Sequence, residues 1–112
     1  MQEVLIFPSE EFCRQAKRLA KKYRSLKDDL KDFEKDLQKN PFIGTDLGNG
    51  KRKIRLGVVS KGKGKRGGMR VITFNAVKTG DIITIYLVTI YDKGEYQSVS
   101  DKYVDQIIKS LK

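Results

Sequence analysis

Three cations in the second half of the chain have the types and spacing to hold a phosphodiester. Lys53 and Arg55 stand two residues apart in an alternating segment, so on a β-strand their side chains project from one face. Arg70 begins the next strand-like segment and lies nearby if the two segments pair around the loop between them. Cations converging on one phosphate stabilise the extra charge of a pentacoordinate transition state. Basic decoration of an exposed sheet face explains the same residues equally well.

Lys53 and Tyr91 could take part in proton transfer or in binding a base. Crowding by like charges would favour the neutral form of Lys53, in which its amine can act as a base. Tyr91 ends an apolar segment, where polar residues commonly emerge beside a cleft. It could stack on an unpaired base, an interaction worth about 1–3 kcal/mol. Taken alone, Tyr91 is better interpreted as a rim residue that completes the core.

The net charge is concentrated between Leu47 and Gly80. The chain carries 24 basic and 14 acidic residues, a formal charge of +10. This window contains no acidic residue, and the rest of the chain balances at 14 basic against 14 acidic residues. Such a block is typical of a surface that faces a polyanion. Its basic residues are Lys51, Arg52, Lys53, Arg55, Lys61, Lys63, Lys65, Arg66, Arg70 and Lys78.

A basic, glycine-rich loop from Ser60 to Gly68 supplies much of this charge. Gly62, Gly64 and Gly67 have GxGxxG spacing, but a strand-like segment follows, whereas a dinucleotide site needs a helix there. The pattern therefore argues against a nucleotide cofactor. It favours a cationic hairpin loop that conforms to an RNA backbone, with a solvated connecting loop as the alternative. The candidate RNA contacts are Lys61, Lys63, Lys65, Arg66 and Lys93.

The composition excludes several chemistries. There is no histidine, and Cys13 is the single cysteine, so imidazole catalysis, a disulfide within the chain and a thiolate metal cluster are excluded. Cys13 is interpreted as a small core residue. We expect neither a metal nor a cofactor. The acidic residues that stand among lysines on the polar face of the predicted second helix are interpreted as solvated i,i+4 partners of those lysines rather than as metal ligands. They are Asp28, Asp29, Asp32, Glu34 and Asp36.

Apolar periodicity predicts one α+β domain spanning residues 1–112, with the order β-α-α-β-β-β-α and helices over one face of the sheet. Ser9 and Ser100 are predicted helix caps, and Asn40-Pro41 ends the second helix. No apolar run reaches the roughly 20 residues of a membrane-spanning helix, and no secretory signal is evident, so we expect a cytoplasmic protein. A glycine-rich turn is predicted from Gly44 to Gly50. The predicted strands are Glu3 to Phe7, Lys51 to Val59, Met69 to Val77 and Ile82 to Tyr91.

Three motifs stand out: Lys53-Ile-Arg-Leu56, the run SKGKGKRGGMRVI from Ser60 to Ile72, and LVTIYDK from Leu87 to Lys93. Together they closely resemble the RelE/ParE superfamily, and in particular its HigB-like branch. The resemblance spans essentially the whole chain, including the helical hairpin, and is most specific from Lys61 to Ile72. It implies a RelE-like fold: a mostly antiparallel sheet with a helical hairpin on one face and a C-terminal helix.

The resemblance further implies a toxin of a type II toxin–antitoxin pair. Such toxins enter the ribosomal A site of the 30S subunit and cut the message by attack of the ribose 2′-hydroxyl, without a metal. By motif position, Lys53 and Arg55 activate the hydroxyl and steady the phosphate, and Arg70 stabilises the transition state. Tyr91 and Lys93 are the candidates for protonating the leaving 5′-oxygen. The arginine and late tyrosine familiar in the RelE branch have no clear equivalents in this sequence.

The same resemblance implies a neutralising antitoxin, encoded nearby and often DNA-binding, that covers part of the basic cleft. The toxin itself would be monomeric and would assemble into an oligomer with the antitoxin. We expect no interaction with a membrane. Two other functions remain open. One is a ParE-like inhibitor of DNA gyrase, because fold alone does not determine function. The other is an RNA-binding protein without enzymatic activity.

Overall fold

The chain folds into a sheet of five strands with three helices, an α+β arrangement. The computed structural model describes residues 3–62 and 68–111, without the side chains of residues 77–79. The elements in chain order are β1 (Glu3–Pro8), α1 (Glu10–Lys22), α2 (Leu26–Lys39), β2 (Thr45–Gly48), β3 (Lys51–Leu56), a 3₁₀ turn (Val59–Lys61), β4 (Met69–Thr79), β5 (Ile82–Asp92) and α3 (Asp101–Lys109).

The sheet is mixed, with the spatial order β1-β5-β4-β3-β2. β1 pairs in parallel with β5, and all other neighbours are antiparallel. The prediction that the first strand lies at an edge is confirmed. β5 has neighbouring strands on both sides up to Leu87 and is buried on both faces along its second half, which explains why its sequence is apolar without alternation.

The hairpin of α1 and α2 covers one face of the sheet. Its apolar stripes pack against inward-facing residues of the strands, including Ile54 and Leu56 on β3 and Val71 on β4. Both helices begin and end close to the predicted positions, with Ser9 as the cap of α1 and Asn40 directly after α2. The predicted face of Ile54 and Leu56 is therefore confirmed, and the alternating Lys53 and Arg55 belong to the opposite face.

Ser9 links the start of α1 to the sheet. Its buried hydroxyl donates to the Val88 carbonyl at 2.6 Å and accepts from the Phe12 N–H at 2.9 Å. We expect Ser9→Ala to lower the free energy of unfolding by about 2 kcal/mol, because both bonds are lost and the carbonyl stays buried. Urea denaturation would measure this. The exposed cap Ser100, which bonds only Tyr103 N–H, should lose about 1 kcal/mol in Ser100→Ala. Equal losses would contradict the buried link.

The predicted glycine-rich turn contains a strand, so that part of the prediction is wrong. β2 pairs with the start of β3, and only Asn49 and Gly50 form the loop between them. Both have positive φ, 55° and 83°, which is the backbone of a type I′ hairpin. Asn-Gly is the strongest sequence signal for that turn, and it was present in the sequence.

The strand predicted from Lys51 to Val59 ends earlier, at Leu56. The carboxylate of Asp29 accepts a hydrogen bond from the Val59 N–H at 3.2 Å and another from the Ser25 hydroxyl at 2.6 Å. This contact draws the chain away from the sheet and into the 3₁₀ turn beside α2. Asp29 is buried, so its interpretation as a solvated helix-face residue is wrong.

The last helix lies on the face opposite to the hairpin, so the prediction that all helices share one face is wrong for α3. Val104 of α3 packs in a second apolar cluster with Ile72, Val88 and Tyr91. These strand residues alternate with those that contact α1 and α2. Within residues 3–62 and 68–111, none of the helices has the length and apolar character needed to cross a membrane.

Candidate nucleic-acid interface

A row of polar side chains crosses three adjacent strands on the face that carries α3. The register pairs Arg55 of β3 with Arg70 of β4, and Arg70 with Tyr91 of β5. Directly opposed residues point to the same face with their Cα atoms about 5 Å apart. We call Arg55, Arg70 and Tyr91, together with Lys53, the cationic row. Lys53 precedes Arg55 by two residues, lies on the same face and pairs with Ile72.

The cations of the row differ in their exposure. Arg55 is exposed and Lys53 is half-buried. Neither side chain makes a hydrogen bond or ion pair with the described part of the chain. Arg70 is only 6% exposed, and its guanidinium donates to the Met69 carbonyl at 3.1 Å. The row therefore combines a largely buried arginine with two more accessible cations.

Lys51 shows what a structural cation on this face looks like. It lies on the same face as Lys53 and Arg55, but its ammonium is buried and bonds Asp105 of α3 at 2.9 Å. That ion pair ties the end of the sheet to α3. Lys53 and Arg55, the next two residues of β3 on this face, make no such ion pair with the described part of the chain.

Arg55 and Arg70 are directly opposed in the register of β3 and β4. Like charges directly opposite each other on antiparallel strands destabilise the pair. We expect Arg55→Gln to raise the free energy of unfolding by about 0.5 kcal/mol, as measured by urea denaturation at low salt. Arg18→Gln is the matched control: it removes a surface ion pair with Glu95 at 2.9 Å and should give no gain. A loss of stability in Arg55→Gln would contradict the repulsion.

Tyr91 is part of the row through its hydroxyl rather than its ring. The residue is 3% exposed, and its ring packs in the second apolar cluster. The hydroxyl has no hydrogen-bond partner within the described ranges. Burial raises the pKa of Tyr91, while the positive charge of Arg70 acts in the opposite direction. Tyr91 is therefore protonated at neutral pH, and its buried ring agrees better with a rim residue than with a base-stacking platform.

A buried ion pair lies at the base of the glycine-rich loop. The Lys61 ammonium bonds Asp92 Oδ1 at 2.5 Å, and the two side chains are 8% and 2% exposed. The Tyr23 hydroxyl donates to Asp92 Oδ2 at 2.9 Å, and the Gly94 N–H donates to Asp92 Oδ1 at 2.8 Å. Burial alone would raise the pKa of Asp92, but these hydrogen bonds and the ammonium hold it below its usual value. Lys61 therefore links the end of the 3₁₀ turn to the end of β5 instead of presenting its charge to solvent.

Four of the predicted RNA contacts remain. Lys63, Lys65 and Arg66 lie outside the described residues. Lys93 is half-buried, its ammonium lies 3.4 Å from the Gln97 carbonyl, and its N–H donates to the Gly68 carbonyl. The latter bond joins the end of β5 to the last residue of the loop, close to the cationic row.

A cleft of about 700 Å³ lies beside the row, between α2 and β3. Lys53 and Arg55 border it on one side, but Asp32 and Asp36 of α2 line the opposite wall. These carboxylates repel phosphate. A polyanion would therefore be attracted more strongly to the sheet face of the cationic row than to this cleft.

Two polar clusters were not predicted from the sequence. One is the ion pair of Lys61 and Asp92 with Tyr23. The other joins α1 to α3, where the Tyr103 hydroxyl donates to Glu11 at 2.5 Å. Each joins residues far apart in the chain, and no local pattern marks them. A comparison with protein-family models found none that matches the chain.

Proposed function

We propose that this protein is a metal-independent endoribonuclease that cleaves messages on the ribosome, acting as the toxin of a type II toxin–antitoxin pair. The observation that carries the proposal is the pairing of Arg55 with Arg70 beside Lys53. Three cations around one position suit a phosphate that gains charge during reaction. The repulsion between the arginines would be relieved by such an anion, which gives the pair a functional reason.

In the proposed reaction, the Lys53 amine removes the proton from a ribose 2′-hydroxyl, and the 2′-oxygen attacks the adjacent phosphorus. Arg55 and Arg70 hold the non-bridging oxygens of the pentacoordinate transition state. The bond from phosphorus to the 5′-oxygen breaks, and Tyr91 gives its proton to that oxygen. The products are a 2′,3′-cyclic phosphate and a 5′-hydroxyl, and the step requires no further reactant.

The proposal includes a RelE-like arrangement of the α+β fold. The order of the elements and the motifs around Lys53, Arg70 and Tyr91 support it. It also includes an antitoxin whose acidic or apolar segments cover the cationic row. Such a partner would neutralise the repulsion between Arg55 and Arg70 in the resting complex.

The test is to induce the protein in a bacterium and to map the ends of messages by primer extension. We expect new ends within translated codons and an arrest of translation. Absence of such ends would contradict the proposal. An SOS response with translation intact would instead support a gyrase inhibitor, and harmless expression with RNA binding would support a plain RNA-binding protein.

The affinity of the purified protein for single-stranded RNA should depend steeply on salt. If about four phosphates are contacted, log affinity should fall with log salt concentration at a slope of about −3. Arg55→Gln should make this slope less steep by about 0.7, because one phosphate contact is lost. Fluorescence anisotropy over a salt series measures both values. A flat response would contradict an electrostatic interface.

A further inference from the structure

Helix α1 carries a second concentration of basic residues, separate from the cationic row. Between Glu11 and Asp28 the sequence contains seven basic residues and no acidic one. All seven are exposed. Arg14 pairs with Glu11, and Arg18 pairs with Glu95. The other five make no ion pair with the described part of the chain, and they are Lys17, Lys21, Lys22, Arg24 and Lys27.

Lys17 and Lys21 lie on the side of α1 that faces away from the sheet. They stand four residues apart and are therefore neighbours on the helix surface. Phe12 and Leu19 point in the opposite direction and pack in the core. Arg24 follows in the turn after α1 and is exposed as well. We call Lys17, Lys21 and Arg24 the α1 patch.

The lysines of α2 are arranged differently. Lys31, Lys35 and Lys39 each follow an aspartate by three positions, so opposite charges are neighbours on that helix surface. No carboxylate stands within four positions of Lys17 or Lys21 in the sequence. Like charges four residues apart destabilise a helix, and the favourable effect of the helix dipole on cations is confined to the last turn, beyond Lys17. Helix stability therefore does not explain the α1 patch.

The surroundings of the patch restrict the kind of polyanion that it can bind. The apolar side of α1 is buried against the sheet, so the helix has no apolar face to insert into a membrane. Single-stranded RNA is bound by cations together with aromatic rings that stack on its bases. The ring closest in sequence is that of Tyr23, which is half-buried and whose hydroxyl donates to Asp92 at 2.9 Å. The patch therefore suits contacts with a phosphate backbone but not with bases.

We propose that the α1 patch binds the phosphate backbone of double-helical RNA. The bases of such RNA are paired, so proteins contact it mainly through phosphates and 2′-hydroxyls. α1 packs on one face of the sheet, and the cationic row lies on the other face with α3. The protein would therefore hold a helical segment of RNA on one face while a single strand meets the row on the opposite face.

The experiment follows the fluorescence anisotropy of a labelled RNA duplex of about 16 base pairs, titrated with the full chain. A triple variant combines Lys17→Gln, Lys21→Gln and Arg24→Gln. We expect this variant to bind the duplex about tenfold more weakly at about 0.1 M salt. Its plot of log affinity against log salt concentration should be less steep by about 2 to 3, because three phosphate contacts are lost.

The matched control combines Lys31→Gln, Lys35→Gln and Lys39→Gln on α2. It removes the same charge from residues that are also exposed, and we expect its affinity for the duplex to stay within about twofold of the parent. Circular dichroism checks that both variants are folded. Equal losses in the two variants, or an unchanged affinity in the α1 variant, would overturn the proposal. A parent protein that binds polyglutamate but not the duplex would also overturn it, in favour of an acidic protein partner.

Failure of this proposal and failure of the proposed function are distinguishable, because duplex binding is measured without any cleavage. Message cleavage on induction by a protein that does not bind the duplex would remove the α1 patch and leave the nuclease. Duplex binding that depends on the α1 patch, without cleavage on induction, would leave the patch and remove the nuclease.

Discussion

Cleavage of ribosome-bound message is expected to slow by about 10²- to 10³-fold when Arg70 is replaced by lysine. Arg70 lies at the centre of the cationic row, between Arg55 and Tyr91 in the register. Lysine keeps the charge but loses the planar fork that can bind two phosphate oxygens at once. It also fills much of the buried site, which alanine would leave partly empty. The single-turnover rate on programmed ribosomes is the measurement.

Arg14→Lys is the matched control for Arg70→Lys. Arg14 is 72% exposed on α1 and pairs with Glu11, so we expect the cleavage rate to stay within about twofold of the parent. The free energy of unfolding of Arg70→Lys should be measured alongside. A folded Arg70→Lys protein that cleaves at the full rate would remove Arg70 from the proposed mechanism.

The largest expected effect on stability belongs to the buried ion pair at the base of the loop. Asp92→Asn should lower the free energy of unfolding by about 3 kcal/mol, because the Lys61 ammonium stays buried without a counter-charge. The hydrogen bonds from Tyr23 and Gly94 also lose a charged acceptor. Denaturation by urea at pH 7 measures the loss. Lys61→Met leaves the Asp92 carboxylate buried without the ammonium, but that carboxylate keeps its hydrogen bonds from Tyr23 and Gly94, so this variant should cost less.

Glu95→Gln is the matched control for Asp92→Asn. Glu95 pairs with Arg18 at 2.9 Å, but the two side chains are 33% and 47% exposed, so we expect a loss below about 1 kcal/mol. Similar losses in the two variants would contradict the importance of burial.

The pH dependence of stability gives an independent test of Asp92. Its pKa in the folded protein is lowered from the ordinary value of 3.8, so the folded state favours the ionised carboxylate. The stabilisation is therefore complete above about pH 4 and is lost as the pH falls through the folded pKa. Asp92→Asn should show a shallower loss of stability in this acid range. A curve of unchanged steepness would assign the acid sensitivity to other carboxylates.

Local sequence patterns were sufficient for most of the fold. Ser9 and Ser100 cap helices because a hydroxyl before an amphipathic run satisfies the first N–H groups. The placement of Lys53 and Arg55 on one face follows from the two-residue period of a strand. The opposition of Arg55 and Arg70 required only that β3 and β4 pair around the intervening loop, which the structure shows.

Other features depend on contacts that local patterns do not contain. Lys61 and Asp92 are 31 residues apart, Tyr23 and Asp92 are 69 apart, and Glu11 and Tyr103 are 92 apart. The sequence alone predicts that Lys61 binds RNA, because it shows the charge of Lys61 but not its ion pair with Asp92. The burial of Tyr91 depends on α3 packing on the second face of the sheet. A single amphipathic helix does not reveal which face it will cover.

The most direct measurement is the chemistry of the cut ends on a defined message bound to purified ribosomes. We expect the upstream fragment to carry a 2′,3′-cyclic phosphate and the downstream fragment a 5′-hydroxyl. A message with one 2′-deoxynucleotide at the mapped site should resist cleavage at that site. Cleavage of the deoxy-substituted message, or a 5′-phosphate on the downstream fragment, would show attack by water and contradict a row of cations that activates the ribose hydroxyl.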